Sequence, residues 1–375
     1  MGYYEHFKDI PHCNTIFNNH EFLSFSNHHI LKANLVFEMV TLVTIFILLI
    51  SLEIRKPKAL LSFILFSYLL IKAFINIAFN EINIVDFIIS HKFIVYLILG
   101  LMISDIKTSG WDSFGGLFKI LLFGFFIKYL VSVLTGLNYR PSLFAENNFE
   151  LMFLLIASIT KHENINKLTT IELIIILCVF LLSGSRSGLV CLLFVFTIYN
   201  IKDLSIKSIM NLFALLILST IVGFIFLSRM SSFNLESIDR FVFMQGFIDA
   251  SEHKTILEHL FGSVVIEKIP QNVCSSFSYY SILFSHGDDG ISCYSNIFHS
   301  FVLRCIYDFG VFGLIFSFYV LWNTINDKAT IRGVISVIGV ITLNGFSVSS
   351  LNSVYCTMGI LFLILTSGSK NNGTI

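Results

Sequence analysis

Two features carry the side chains best suited to chemistry in this chain: the run Ser183-Gly-Ser-Arg-Ser-Gly188 and the isolated His299. Gly and Ser interrupt a helix at little cost and let a second backbone or a ligand approach closely. Apolar arms flank the run, so it reads as a hairpin tip that holds Arg186 with no acidic neighbour in sequence. A planar, permanently charged group with five donors suits a phosphate or diphosphate. An ordinary interfacial Arg in a tight turn fits the same residues. His299 opens an apolar stretch, and Gly310 falls about 20° round the same helix face, with Gly313 about 40° to the other side. An imidazole at the mouth of that face can act as a general base or can simply mark a helix start.

Other ionisable groups lie inside apolar stretches, where charge is costly and function is suspected by default. Lys72, Lys119 and Lys128 can extend along their own helices toward lipid headgroups. Arg304 and Asp308 are spaced i, i+4 and are expected to pair and neutralise one another. Seven Cys are scattered without a CxxC or similar cluster, so no metal site is expected. Cys178, Cys191, Cys305 and Cys356 sit in apolar runs as small hydrophobes.

The elements that position these groups follow from composition. Of 375 residues 55% are apolar and 13% are charged, against roughly 25% charged in a soluble domain. Mean hydropathy is +0.82 and Phe alone occurs 41 times. These values disfavour a soluble enzyme, a disulfide scaffold and a disordered chain. The balance of 24 basic against 24 acidic residues lacks the footprint of a nucleic-acid binder. The expected class is an all-α, polytopic integral membrane protein.

Crossing a bilayer takes about 20 mostly apolar residues. Eleven candidate spans are read, at 35–52, 59–79, 84–103, 114–134, 149–159, 168–184, 187–200, 209–227, 299–322, 331–346 and 354–366. This divides the chain into a polar N-terminal segment (1–34), a first part of the bundle (35–227), a long loop (228–298) and a last part (299–367). No removable signal peptide is read at the N-terminus. Lys and Arg concentrate in alternate short loops: Arg55, Lys56 and Lys58; Lys107; Lys161 and Lys167; Lys202 and Lys207; Lys328 and Arg332. That side is assigned to the cytoplasm.

The other side receives the loop 136–148, the 183–187 turn and the segment 228–296, which holds four basic and eight acidic residues. Within that segment Ile238, Phe241, Met244 and Ile248 repeat at helical spacing, with Gly262 as a stop. Short helices lying on the membrane surface are expected there, either capping a cavity or only packing on the spans. Cys274 and Cys293 share this compartment, either as a disulfide or as two thiols, with Cys13 as a competing partner.

At these motifs the chain resembles the bacterial O-antigen polymerase and O-antigen ligase superfamily. The run 183–188 looks like the family's S-G-S-R-S-G turn. His299-Ser300 followed by Gly310-Val-Phe-Gly313 is similar to its H-[NSQ]-x9-G-x-x-G pattern after a large periplasmic loop. Arg140-Pro-Ser-Leu-Phe-Ala-Glu146-Asn147 resembles, more loosely, the Arg and Glu-Pro-Asn segment, with Asn147 where Pro is common. Arg240 resembles a second periplasmic Arg, although the usual Trp is missing. The likeness covers about residues 140–313.

It implies an inner-membrane glycosyltransferase with its site facing the periplasm and no cofactor or metal. Donor and acceptor would be glycans linked to undecaprenyl diphosphate, and a chain-length regulator in the same membrane would be a partner. His299, Arg186 and Arg240 would be catalytic, and Arg140, Glu146 and Arg229 would bind substrate. A polymerase is the preferred reading over a ligase that transfers polymer to lipid A core. A flippase or other transporter, lined by Lys72, Lys92 and Lys128, would require inverted repeats, and none is seen.

Overall fold

The computed structural model describes residues 36, 38–47, 56–105, 113–135, 147–200, 239–277 and 293–367. Among them the chain is helical with no strand. The apolar runs become α1 (Lys56–Ala73, continued as a π-helix over Phe74–Phe79), α2 (Ile84–Ser104), α3 (Phe114–Thr135), α4 (Asn147–Thr160, continued as a π-helix over Lys161–Ile165), α5 (Thr170–Leu182) and α6 (Arg186–Asn200). After a gap in the description come α7 (Asp239–Ser251), α8 (Ile256–Phe261), α9 (Gln271–Ser276), α10 (Phe301–Ile325), α11 (Ile331–Gly345) and α12 (Val354–Thr366). A short helix over Glu38–Ile47 precedes them.

Among the described residues four helices are long and apolar enough to cross a membrane: Lys58–Phe79, α2, α3 and α10. The eleven spans are not established as a count. α5, α6, α11 and α12 are apolar but have 13–15 residues, about 20–22 Å at 1.5 Å per residue. The candidate at 209–227 lies outside the described residues.

α4 forms the bundle's axis, buried on every side from Glu150 through Lys161. α12, α11, α6 and α3 pack around it. Between helices surrounded by lipid, association depends on close packing rather than on exclusion of water. Gly359 of α12 provides such a contact, since a Cβ there would meet Ile156 of α4 at 2.9 Å. Outward faces keep large apolar side chains, for example Phe63 and Leu60 on α1 and Ile120 on α3, each more than 60% exposed.

The two ends of the bundle differ in their chemistry. At one, Lys58 pairs with Asp105 at 3.0 Å and Asp327 at 3.6 Å, and Lys161 pairs with Glu172 at 2.8 Å. Glu163 there accepts the Tyr199 hydroxyl at 2.7 Å and the Thr330 N–H at 3.0 Å. This basic end gathers Lys58, Lys161, Lys328 and Arg332 from loops far apart in sequence. At the other end Ser and Asn side chains moor the 183–188 turn, while Lys254 and Glu267 form an ion pair beside the start of α10.

Residues 239–277 and 293–300 pack about the first ten residues of α10, and nine of those ten are buried. Lys254 fastens them, reaching Glu267 at 2.8 Å, Ser263 Oγ at 2.9 Å and the Tyr307 carbonyl at 2.8 Å. Cys274 and Cys293 form a disulfide with Cα atoms 5.9 Å apart. Cys13 lies outside the described residues.

The apolar repeat of α7 forms its outward face: Phe241, Met244 and Ile248 are exposed, while Phe243 and Ala250 are buried against α9 and α10. Two expectations are corrected here. Arg304 and Asp308 form no ion pair. The guanidinium finds nearer acceptors in Asn296 Oδ1 (2.7 Å), the Ile89 carbonyl (3.1 Å) and Ser349 Oγ (3.0 Å), and Asp308 accepts from Ser295. Lys72 does not extend outward; it is 7% exposed and donates to the Ser263 carbonyl.

Candidate functional site

Each residue of the 183–188 run has a local task. Ser183 ends α5, and Gly184 takes a left-handed φ of 63° that turns the chain. Ser185 caps α6, its Oγ accepting the Gly188 N–H at 3.0 Å. Arg186 is therefore the first residue of α6. A cation is electrostatically disfavoured at that position, because the N-terminus of a helix carries partial positive charge. Helix stability thus gives no reason for an Arg there, whereas anion binding does.

The turn is moored to the start of α4 by neutral groups. Asn148 Oδ1 accepts the Ser185 hydroxyl at 2.6 Å and the Ser187 hydroxyl at 3.2 Å. Asn147 donates to the Ser183 carbonyl at 2.9 Å and accepts from the Tyr129 hydroxyl of α3. The next residue, Phe149, meets the His299 ring edge-on with centroids 6.2 Å apart, and its other contact is Tyr355 of α12. Three consecutive residues of α4 thus touch both the Arg186 turn and His299, which places the two at the same end of the bundle. Both side chains are half-buried.

Helix ends of both signs meet at this end: α4, α6, α10 and α12 begin there, and α3, α5 and α11 finish there. Ser300 and Ser353 cap α10 and α12, accepting the N–H groups of Leu303 (3.3 Å) and Tyr355 (3.2 Å). Glu150 is fully buried one turn into α4. Lys128 of α3, electrostatically coupled to Glu150, has its Nζ buried with no hydrogen-bond partner among the described residues. From Tyr129, α3 runs on to Thr135, about 9 Å further at 1.5 Å per residue.

No family model, curated protein or solved structure matches this chain. The site is therefore read from its geometry alone.

Of the residues singled out from sequence, Arg186 and His299 are brought together through α4. Arg240 stands exposed in the first turn of α7, a helix that packs on α9 and α10. Arg140, Glu146 and Arg229 lie outside the described residues. His299 does not begin a helix: Ser300 is the cap and α10 starts at Phe301. The face shared by His299 and Gly310 is also broken, since Gly310 has φ 71° and ψ 177° and kinks α10.

Sequence reasoning missed Asn148, Phe149, Glu150 and Tyr129. Their signal was present in the polar Asn147-Asn148 pair and Glu150 at the head of an otherwise apolar helix. Among the described residues, no three His, Cys, Asp or Glu side chains gather as metal ligands would.

Proposed function

We propose that this chain is an integral membrane glycosyltransferase of O-antigen polymerase type, working at the periplasmic face of the bacterial inner membrane. The observation that carries the reading is the double anchorage of α4: Asn148 holds the Arg186 turn and Phe149 holds His299. A general base and an anion-binding fork thus share one helix end. The basic end, with its Lys-rich short loops, is the cytoplasmic one in this reading.

In the reaction, the bond between the anomeric carbon of the donor glycan and its lipid diphosphate breaks. The acceptor sugar's hydroxyl oxygen bonds to that carbon. The hydroxyl proton passes to His299. Charge develops on the departing diphosphate, and Arg186 at the start of α6 stabilises it more in the transition state than before. Arg240, Arg140 and Arg229 are assigned to the lipid-linked glycan as further cations.

The test is a lipopolysaccharide gel from a strain lacking the protein, beside turnover of purified undecaprenyl-diphosphate-linked repeat units. Core bearing a single repeat, restored to a ladder by the wild-type gene, is the expected outcome. Core alone, with polymer left on the lipid carrier, would instead make the protein a ligase. An unchanged ladder rejects both.

A further inference from the structure

A cleft of about 590 Å³ opens between α1, α2 and α10, and it shares no residue with the site of Arg186 and His299. Its lining is apolar except for Tyr68 and Ser317. Its volume is in the range of small-molecule sites.

Three observations define what it can hold. The first is its mouth: α1 and α10 are both long and apolar enough to cross a membrane, and the rim residues Ile64, Ile315 and Tyr319 are 49–57% exposed. The medium at that mouth is hydrocarbon rather than water.

The second is its roof. Phe261 of α8 lines the cleft and packs on Phe312 with centroids 5.0 Å apart. Gly262 and Gly310 have φ of 76° and 71°, and a Cβ on either would overlap the other strand's backbone. α8 is therefore held against the kink of α10 by direct backbone contact.

The third is a cation. Lys72 Nζ stands 5.8 Å from the Tyr68 ring centroid and 5.9 Å from that of Phe309, and both rings line the cleft. Lys72 is nine-tenths buried, donates one hydrogen bond to the Ser263 carbonyl and makes no ion pair.

We propose that this cleft binds an acyl chain of an anionic glycerophospholipid, with its phosphodiester drawn to Lys72. A single ammonium behind two of the rings that line the cleft, Tyr68 and Phe309, complements the one charge of a phosphodiester through the field it sets at that wall. A diphosphate would bring more charge than one Lys neutralises. The chain lies along Phe93, Leu97 and Ile315 beneath α8. Filling the cleft supports the roof, which belongs to the segment leading into His299.

The test uses the full chain in vesicles of phosphatidylglycerol and phosphatidylcholine, doped with phosphatidylglycerol that carries a diazirine in its acyl chain. After irradiation, adducts should concentrate on residues 93–97 and 312–319. Ile315→Trp, which fills the mouth from an exposed position, should lower them about tenfold, as loss of ~1.4 kcal/mol would. Ile120→Trp, on the outward face of α3, should leave them unchanged. Lys72→Met should abolish the preference for phosphatidylglycerol over phosphatidylcholine, and Lys72→Arg should keep it. Labelling spread evenly over all outward faces, α3 included, would overturn the site. Competition by undecaprenyl phosphate but not by unlabelled phosphatidylglycerol would overturn the occupant.

Discussion

The helix joins at the basic end and the mooring of the Arg186 turn at the other use charge in opposite ways. At the basic end every join described involves a charged side chain and its partner: Lys161 with Glu172, Lys58 with Asp105, and Glu163 with Tyr199 and Thr330. At the serine end, the groups that hold the Arg186 turn are hydroxyls and amides. A salt bridge fixes a join but uses up the field of its charges. Neutral hydrogen bonds position the Arg186 turn without using charge in its mooring. One end joins helices through charged side chains, and the other seats this turn through neutral ones.

That contrast separates stability from activity, and the largest expected effect lies at the basic end. Lys161→Met leaves Glu172 as a buried carboxylate without its ammonium, a loss of about 3–5 kcal/mol. Thermal unfolding in detergent should shift strongly downward and protein yield should fall. Turnover per folded molecule should hold. A variant of normal stability and impaired turnover would place function at the wrong end.

Arg186→Lys is the reverse case. The charge stays and the planar fork is lost, and stability should hardly change because the turn is moored by Asn147, Asn148 and Ser185 rather than by the guanidinium. Turnover of the lipid-linked repeat should fall about 10²-fold or more, the scale of one oxyanion-type donor. Undiminished polymer length at normal protein level would remove Arg186 from the mechanism.

How much of this is legible in the sequence depends on the range of the interaction involved. The 183–188 turn is local chemistry, a stop, a left-handed Gly and a Ser cap within six residues, and it can be read directly. So can the apolar runs and the grouping of loops by their basic residues. The importance of Asn148 cannot be read, because it exists only once α4 is the axis and the hairpin of α5 and α6 lies beside it. Gly310 looks like a small residue on a helix face, and only its contact with Gly262, far back in the chain, turns it into a kink. Arg304 and Asp308 have the spacing of a pair, but Asn296, Ser349 and the Ile89 carbonyl win the guanidinium and the Ser295 hydroxyl wins the carboxylate.

The mooring itself gives the next prediction. Asn148→Ala removes the acceptor of two hydroxyls at once, worth about 1–3 kcal/mol. Turnover should fall roughly tenfold with only a modest drop in melting temperature. Asn148→Asp sharpens the comparison: it still accepts both hydroxyls, so the turn stays in place, but it sets a carboxylate beside Arg186. Folding should be preserved and turnover lost. If Asn148→Asp were fully active, the field at this end would not matter and only its shape would.

The smallest effect belongs to the segment between the two motifs. Thr255 and Glu258 form a capping box at the start of α8, with the carboxylate accepting the Thr255 N–H at 2.7 Å and its hydroxyl at 2.8 Å. Those hydrogen bonds hold the Glu258 carboxyl below its ordinary value of 4.5. A group with a depressed folded pKa stabilises fully above its unfolded pKa and loses that contribution as pH falls through the folded value. The melting temperature of the wild type should therefore exceed that of Glu258→Gln by a small, constant margin from pH 8 to about pH 5. Below that the margin should close, because protonation gives the wild-type side chain the same neutral charge as Gln. A margin that persisted at pH 3 would mean that the amide fails for reasons of shape, and that the ionised carboxylate contributes nothing to holding α8 over the cleft.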